Sequence, residues 1–345
     1  MRVTYVLPRP ELSGGIKVVF QHARLLAGRG FEVHLLGEGP YPDWVDGPRL
    51  PYHDSTAGPP GLPRQDLVIG TFWTTLALAR QLVDGPLAHF CQGYEGGLPH
   101  LAPQLPRIEA AYAERLPTLT VNPGLARFLR DRFGRASRIV PPPTDPIFRP
   151  TFRWGPRKLY PWIAVPGIFE SEVKGIPTAL EAVRRLREDG LPVRLLRASI
   201  LPLSDAERRT AEPDRYLLSV PPAEMAAALR DCDLLLFPSH PAEGFGLPLL
   251  EAMASGVPAV SSRIPSTEFI ARDSGRDGRI PLVPVGDVDA FAAAARGLLT
   301  HPHAWRRARR AGRREARRFA PGEVAAALES GIRWAIEEAH RHDRG

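Results

Sequence analysis

The feature that most constrains the fold of this 345-residue chain is a repeated alternation of short apolar runs and amphipathic segments. In the first part of the chain, the short β-rich runs predicted to be strands are Val3–Leu7, Glu32–Leu36, Asp66–Ile69, Leu87–Cys91, Thr118–Val121 and Arg138–Val140. The segment Ile16–Ala27 lies between the first two runs and has the 3.6-residue periodicity of a helix. Because a strand, a helix and another strand in this order build a parallel sheet, the first part is predicted to be a doubly wound α/β domain.

A second alternation follows the segment Pro141–Pro150, which contains five prolines. Proline interrupts helices and central strands, so we predict the domain boundary between residues 150 and 151. Beyond it, the predicted strands are Trp162–Val165, Val193–Leu196, Tyr216–Ser219, Leu234–Phe237 and Ala259–Ser261, and the predicted helices are Ile176–Glu188, Ala223–Leu229 and one that opens near Pro248. The expected architecture is α/β, with two doubly wound Rossmann-like domains facing across a cleft and ligands at the carboxyl ends of their strands.

Charge and cysteine content narrow the classes of function. The formal net charge is +7, which favours anionic partners such as phosphates, acidic glycans or an anionic membrane face. The two cysteines, Cys91 and Cys232, are far apart in sequence, so neither a disulfide framework nor a zinc site is expected. No apolar run approaches the ~20 residues that span a bilayer, and the N-terminal sequence has no apolar signal core. The predicted location is the cytoplasm, with any membrane contact peripheral and at the inner face.

Two glycine-containing loops are candidate ligand sites. The first, Leu12–Gly15, follows the first predicted strand and precedes a helix. Gly14 and Gly15 would let backbone N–H groups approach a phosphate closely at the start of that helix. The loop lacks the G-x-G-x-x-G pattern of a dinucleotide site. From the residues alone, a plain tight turn explains the loop equally well.

The second loop belongs to the stretch PAEGFGLPLLEAMASG, residues 241–256. Pro248 suits the first position of a helix, which would place Glu251 in the first turn and Glu243 in the preceding loop. Both carboxylates would then lie at the positive end of the helix dipole and could accept hydrogen bonds from hydroxyls. The backbone amides that could bind a phosphate nearby are those of Gly244, Phe245, Gly246 and Leu247. A nucleotide sugar offers both kinds of group; the alternative is two surface acids without a ligand.

The stretch from Phe237 to Pro258 reads FPSHPAEGFGLPLLEAMASGVP and has seven residues between its two glutamates. It resembles the signature of the retaining glycosyltransferases of family 4, which have the GT-B fold of two Rossmann-like domains. The resemblance extends to Ser13–Gly15, Ile139–Pro150, Val173–Gly175, Leu180–Ala182, Pro281–Val288 and Ala290–Leu298. It implies that residues 1–150 form the acceptor side and residues 151–322 the donor side. It also implies that a helix within residues 323–345 packs back on the first domain.

The resemblance also implies roles for individual residues. Glu243 would contact hydroxyls of the donor sugar, and Glu251 would contact the ribose of the nucleotide. Lys174 would neutralise the donor diphosphate, which makes Glu243 and Lys174 the catalytic candidates. Gly14 and Gly15 would approach the diphosphate or the transferred sugar. A leaving nucleoside diphosphate develops negative charge, and a fixed ammonium with helix-end amides stabilises such charge without a covalent nucleophile, a cofactor or a metal.

The predicted activity is therefore that of a retaining hexosyltransferase (EC 2.4 class). It would move a sugar from a nucleotide-diphosphate sugar to a glycan, lipid-linked or small-molecule acceptor. Two alternatives stay open. One is a nucleotide-sugar 2-epimerase of the same fold, which would need acid and base residues around the sugar and no acceptor site. The other is a nucleotide-sugar-binding module without catalytic activity.

The chain departs from the family pattern at the expected diphosphate site. The family usually has an arginine after a glycine that precedes the lysine, but here Gly167 is followed by Ile168. The second phosphate-binding cation is therefore missing from its usual position. Arg197, at the end of a predicted strand, and Arg263 are the candidate replacements.

On the acceptor side, Gln92 stands where the family often has a histidine, and Gln92 and Glu95 are the acceptor-side candidates. His89 is interpreted as a core or edge histidine. The sequence CQGYE, residues 91–95, resembles a subgroup linked to polysaccharide and rhamnose-containing glycan synthesis.

The segment Trp305–Phe319, WRRARRAGRREARRF, is predicted to be a basic helix. At helical spacing one face carries four arginines, namely Arg306, Arg310, Arg313 and Arg317. Such a face fits an anionic membrane surface or a glycolipid acceptor, and it also fits a solvated helix in an arginine-rich chain. Nucleic acid is not an expected partner, because no aromatic stacking motif accompanies the arginines.

Overall fold

The computed structural model describes residues 1–157 and 159–342 and divides into two compact units. Unit 1 consists of Met1–Pro143 and the segment that begins at Pro321, and unit 2 is Thr144–Ala320. The boundary between the two units, at Pro143 and Thr144, thus falls a few residues before the predicted boundary at 150/151. The reason is local: the backbone N–H of Thr144 donates to the carbonyl of Phe319 at 2.6 Å, which joins the start of unit 2 to its end.

Unit 1 is built on a seven-stranded parallel sheet. The strands are β1 (Arg2–Val6), β2 (Glu32–Gly37), β3 (Tyr52–Asp54), β4 (Leu67–Gly70), β5 (Leu87–Cys91), β6 (Thr118–Thr120) and β7 (Ser137–Ile139). Their order in the sheet is β3-β2-β1-β4-β5-β6-β7. Helices α1 (Gly14–Ala27), α2 (Trp73–Leu82), α3 (Leu105–Ala113) and α4 (Pro123–Phe133) lie between strands in the chain. Every residue of β4 and β5 is buried, as expected for inner strands of a parallel sheet covered on both faces.

Unit 2 has a six-stranded parallel sheet. Its strands are β8 (Trp162–Pro166), β9 (Arg194–Ser199), β10 (Arg215–Leu218), β11 (Leu234–Phe237), β12 (Ala259–Ser262) and β13 (Leu282–Val283), in the order β10-β9-β8-β11-β12-β13. The helices are α5 (Ile176–Glu188), α6 (Asp205–Thr210), α7 (Pro222–Arg230), α8 (Leu247–Ala254), α9 (Pro265–Arg276), α10 (Val288–Thr300) and α11 (Pro302–Ala316). The strand order reverses direction between β8 and β11, and this switch point is where ligands bind in open α/β sheets.

The helix α12 (Pro321–His342) belongs to unit 1. Its glycine Gly331 lies directly against the side chains of Val140 and Leu119, and Glu329 forms a 2.8 Å ion pair with Arg29. The last helix of the described chain therefore completes the fold of the first unit.

Both sheets confirm the predicted α/β class with two Rossmann-like domains. Within the described residues, no helix has both the length and the apolar character needed to cross a bilayer.

Candidate active site

The central interaction of the candidate site is an ion pair between Lys174 and Glu243. The Nζ of Lys174 donates to Oε2 of Glu243 at 2.8 Å. The same oxygen accepts from the hydroxyl of Ser239 at 3.0 Å. The lysine side chain is 33% exposed and the glutamate 10% exposed, so the ammonium is the more accessible partner. The structure thus brings together two of the residues that the sequence predicted, which are 69 positions apart.

Lys174 is held by the connection between β8 and α5. It ends a short 3-10 turn, Glu172–Lys174, and Gly175 follows with a left-handed φ of 59°. A Cβ at Gly175 would overlap the carbonyl oxygen of Pro238, so a glycine is needed on steric grounds as well. The backbone N–H of His240 donates to the carbonyl of Val173 at 2.8 Å. The loop after β8 is therefore fastened to the loop after β11, and this contact fixes the backbone beneath the lysine.

Glu243 is placed by the loop between β11 and α8. Its backbone N–H donates to the carbonyl of His240 at 2.9 Å, which closes a turn. Gly246, with φ 101°, packs against the ring of Phe237 and precedes the first residue of α8. No side-chain cap satisfies the first amides of α8, so its first turn directs N–H groups and a positive dipole end to the carboxyl edge of the sheet.

The helix start predicted at Pro248 is wrong by one residue, which changes the place of Glu251 in the helix. The helix begins at Leu247 rather than at Pro248, so Glu251 lies just past the first turn, which contains no acid. The reason is that a proline is tolerated at either of the first two helical positions. Glu251 is partly buried and its carbonyl accepts from the backbone of Ser255 at 2.9 Å. The ribose contact predicted for its carboxylate stays a prediction.

Among the glycine-loop residues, Phe245 has a structural role that the sequence did not indicate. Its side chain is 5% exposed and packs edge-on against Phe269 and Phe319, with ring centroids 6.5 and 5.6 Å away. Phe245 therefore anchors the loop in the core while Gly244 and Gly246 flank it. Any contact of this residue with a ligand would come from its backbone.

Arg197 lies in the interior of unit 2. Its side chain is fully buried, forms an ion pair with Glu207 and donates from Nη2 to the carbonyl of Gly167 at 2.8 Å. Burial lowers the pKa of this guanidinium, while the carboxylate of Glu207 acts in the opposite direction. In this arrangement Arg197 supports the start of the loop that leads to Lys174. Its predicted contact with the donor stays a prediction that this placement does not favour.

The other candidate for the missing cation, Arg263, follows β12 and is half-exposed. Its Nη2 donates to the carbonyl of Leu282 at 3.0 Å, and its Nη1 lies 3.5 Å from Glu268. Arg263 is thus the more accessible of the two arginines proposed in place of the arginine expected at Ile168.

In unit 1, the structure brings Gly15 and Gln92 together at the carboxyl edge of the sheet. The amide Nε2 of Gln92 donates to the carbonyl of Gly15 at 3.0 Å, and a Cβ on that glycine would lie 3.3 Å from the same nitrogen. The preceding Ser13 caps α1 by accepting from the N–H of Ile16 at 3.4 Å. Gly14 is the first residue of this helix. The Ser13–Gly15 loop therefore forms the N-terminus of α1, and the side-chain amide of Gln92 donates a hydrogen bond to it.

Glu95 is buried rather than open to an acceptor, with 7% of its surface exposed. The hydroxyl of Tyr112 donates to its carboxylate. Burial raises the pKa of Glu95 to about 7, and the Tyr112 hydrogen bond opposes that rise. His89 is a core histidine with Nδ1 2.8 Å from the guanidinium of Arg135. Burial, aided by that cation, lowers the pKa of His89 well below its usual value.

Sequence reasoning assigned no role to Ser239 or His240. Both lie in the stretch before Glu243. The sequence did contain one signal for Ser239, since its hydroxyl stands four residues before the glutamate to which it donates. Within the described residues, no group of three or more His, Cys, Asp or Glu side chains is arranged to hold a metal ion. Cys91 and Cys232 are both buried and free.

Comparison with known proteins finds a family match over the region that carries the Lys174–Glu243 pair. Residues 160–301 match the family described as "Glycosyl transferases group 1". The matched region lies entirely within unit 2. The match covers the strands from β8 to β13 and both loops of the candidate site, and it supports a transferase enzyme.

Curated proteins that are similar to this chain include mannosyltransferases. The chain is 33% identical over 168 residues to a phosphatidyl-myo-inositol mannosyltransferase of Mycobacterium leprae, covering 47% of this chain and 43% of the relative. It is 36% identical over 149 residues to an MMP alpha-(1->4)-mannosyltransferase of Mycolicibacterium hassiacum, covering 42% of this chain and 36% of the relative. The matches thus span less than half of these relatives.

The fold as a whole resembles that of a sucrose-phosphate synthase from Thermosynechococcus elongatus. The TM-score is 0.77 at 19% identity, and the alignment covers 98% of this chain and 99% of that one. At this identity the likeness concerns the fold, and it extends over both units.

Proposed function

We propose that the protein is a retaining glycosyltransferase that moves a sugar from a nucleotide-diphosphate sugar to an acceptor. The observation that carries the proposal is the Lys174–Glu243 pair at the switch point between β8 and β11, beside the uncapped start of α8. A half-exposed ammonium and helix-end amides suit a diphosphate, and a carboxylate suits sugar hydroxyls. The two mannosyltransferase relatives make mannose the first donor sugar to test.

In the proposed reaction, the bond between the anomeric carbon and the diphosphate oxygen breaks as the acceptor hydroxyl attacks from the same face. The acceptor proton passes to the leaving phosphate oxygen. Lys174 stabilises the charge that develops on the leaving diphosphate, and the amides at the start of α8 add to this stabilisation. Glu243 positions the lysine through their ion pair and accepts from donor hydroxyls. Glu251 is proposed to hold the ribose of the nucleotide.

The proposed acceptor is a glycan or a lipid-linked glycan, with the cytoplasm as the proposed site of action and the inner membrane face as the place of peripheral contact. The basic 305–319 segment is the proposed point of that contact. No nucleic acid, cofactor or metal is proposed. Gly14, Gly15 and Gln92 are the proposed ligand contacts in unit 1. Glu95 is proposed to support the loop after β5, which carries Gln92, from within the core, because its carboxylate is buried against Tyr112.

A donor panel tests the proposal. The full chain is incubated with GDP-, UDP-, ADP- and dTDP-sugars and with glycan and lipid-linked acceptors, and both the nucleoside diphosphate and the sugar products are measured. Release of a nucleoside diphosphate with a glycosylated acceptor supports transfer. An isomerised sugar nucleotide without acceptor would establish the 2-epimerase instead, and tight binding without turnover would establish a binding module that lacks activity.

A further inference from the structure

The loop that precedes β8 exposes large hydrophobic side chains to solvent. We define the aromatic loop as residues 152–157 and 159–160. The side chains concerned are Phe152 (80% exposed), Trp154 (74%), Leu159 (74%) and Tyr160 (52%). The rings of Phe152 and Trp154 stack edge to face with centroids 5.2 Å apart, so they form one apolar projection. Exposed aromatic clusters of this kind mark interaction sites in soluble domains.

The projection is built into the structure, because Arg153 and Arg157 both bind one buried carboxylate. Asp233 is fully buried and pairs with Arg153, and its Oδ2 accepts from Nη1 of Arg157 at 3.0 Å. The same carboxylate accepts from the backbone N–H groups of Arg157 (2.9 Å) and Trp162 (2.8 Å). Turning Phe152 or Trp154 into the interior would separate this buried network, which is costly. Arg153, whose side chain is 15% exposed, is more buried than the aromatic residues on either side of it, which is the reverse of ordinary burial.

An arginine face begins beside this loop. Nη1 of Arg306 donates to the carbonyl of Trp154 at 3.3 Å, and α11 continues from there. Arg310, Arg313 and Arg317 follow at helical spacing, and each is exposed or partly exposed. The opposite side of α11 is buried, through Trp305, Ala308 and Ala311 among others. The sequence 302–318 contains eight arginines and a single acid, Glu315, which is buried against Arg314 and Arg318.

We propose that the aromatic loop and this arginine face together dock on the surface of an anionic phospholipid bilayer. Trp and Phe rings settle at the level of the lipid headgroups, and arginines beside them attract the phosphates. A neutral glycan would use the aromatic rings but would gain nothing from a row of arginines. A second copy of the chain would bring a second positive face against the first. The inference deepens the peripheral membrane contact named in the proposed function, because it adds the aromatic loop and specifies the lipid, and it concerns adsorption and not transfer.

The aromatic loop lies away from the candidate active site. The aromatic loop precedes the start of β8, whereas Lys174 and Glu243 follow the ends of β8 and β11 in the same parallel sheet. The two features therefore lie at opposite edges of the unit 2 sheet. Loss of docking through changes in the aromatic loop is thus expected to leave transfer to a water-soluble acceptor unchanged, which separates a failure of this proposal from a failure of the proposed function.

Vesicle flotation with the full chain tests the proposal. The vesicles are phosphatidylcholine alone, or phosphatidylcholine mixed with phosphatidylglycerol. We expect flotation with the anionic vesicles only, a decrease as salt is added, and a blue shift of tryptophan emission. The shift should disappear in Trp154→Phe, because Trp154 is the tryptophan among the described exposed large hydrophobics. Flotation itself should survive that conservative change.

Two double variants separate the two parts of the surface. Phe152→Ser with Trp154→Ser should abolish the apolar part and weaken vesicle binding at least tenfold. Arg310→Gln with Arg313→Gln should weaken it by about fivefold per charge. The matched controls lie elsewhere in unit 2: Ile200→Ser with Leu218→Ser removes side chains that are 52% and 49% exposed, and Arg208→Gln with Arg209→Gln removes two exposed charges. Both controls should bind as the parent does.

Three results would overturn the proposal. The first is equal flotation with neutral and anionic vesicles, or anionic binding that neither test variant weakens relative to its control. The second is dimerisation in gel filtration that Phe152→Ser with Trp154→Ser abolishes, without vesicle binding by the parent. The third is binding to polyglutamate without vesicle binding, which would indicate an acidic protein partner. Thermal melts of each variant confirm that the fold is retained.

Discussion

Replacing Gly175 with alanine tests whether the contact between the loops after β8 and β11 positions Lys174. Gly175 has φ 59° and is the N-cap residue of α5, and a Cβ there would overlap the carbonyl of Pro238. Gly190, just past the other end of α5, has φ 80° and open space around its Cβ position. Gly190→Ala is therefore a matched control that adds the same backbone strain on the same helix without the overlap.

The expected losses of stability follow from the surroundings of the two glycines. An alanine in the left-handed region costs about 1–2 kcal/mol, which is the whole effect expected at Gly190. At Gly175 the overlap with a backbone oxygen adds about 1–3 kcal/mol, because one of the two loops must move. For a unit of this size, 1 kcal/mol lowers Tm by roughly 2–4 °C. We expect Tm to fall by roughly 5 °C in Gly190→Ala and by roughly 10 °C in Gly175→Ala.

Differential scanning calorimetry measures the two Tm values, and turnover with the best donor from the panel measures the position of the lysine. Gly175→Ala should lower kcat while Gly190→Ala leaves it unchanged. Equal Tm losses in the two variants, with equal kcat, would refute the reasoning, since the contact with Pro238 would then contribute nothing beyond backbone strain.

The remaining predictions concern single side chains. Lys174→Ala should lower kcat by about 10²–10³, as for other groups that stabilise a developing oxyanion, whereas Glu224→Gln on the exposed face of α7 should have no effect. Glu251→Ala should weaken the calorimetrically measured affinity for the bare nucleoside diphosphate, and Glu243→Ala should mainly lower turnover; full activity in Glu243→Ala would remove it from the site. Because Glu95 titrates near 7 in the fold and near its ordinary value of 4.5 when unfolded, the native state binds the extra proton between those pH values. The free energy of unfolding should therefore fall as pH rises from about 4.5 to 7, by about 3 kcal/mol, and denaturant titrations of Glu95→Gln should lack that slope.

The strands that the sequence predicted best are those whose surroundings are uniformly apolar. Leu234–Phe237 is buried throughout, so its unbroken apolar run indicates a central strand whatever lies beside it. The strand Tyr52–Asp54 escaped prediction because it is an edge strand of three half-buried residues, and nothing in YHD alternates or repeats. Its place in the sheet depends on pairing with β2, a tertiary contact that no local sequence pattern indicates.

The candidate site also contains residues that the sequence could predict and a residue whose surroundings it could not. Glu243 and Lys174 were identified from motifs that are local in sequence, and the fold brings them to 2.8 Å. Arg197 was expected near the ligand because it follows a strand pattern that ends at a sheet edge. Its burial depends on Glu207, ten residues later on α6, which neutralises it in the core. A sequence shows that such an acid exists but not that the chain turns back to pair with it.

The discontinuity of unit 1 has a consequence for synthesis on the ribosome. Unit 2 is one continuous segment, Thr144–Ala320, whereas unit 1 requires α12, which is made after unit 2 is complete. The second unit can therefore finish folding first, while the earlier-made sheet still lacks α12, the helix that packs on strands β4 to β7 and in which Leu328 and Ile332 are fully buried. During that interval the growing chain carries a partly covered sheet, which makes the nascent protein a natural client for a chaperone near the exit tunnel.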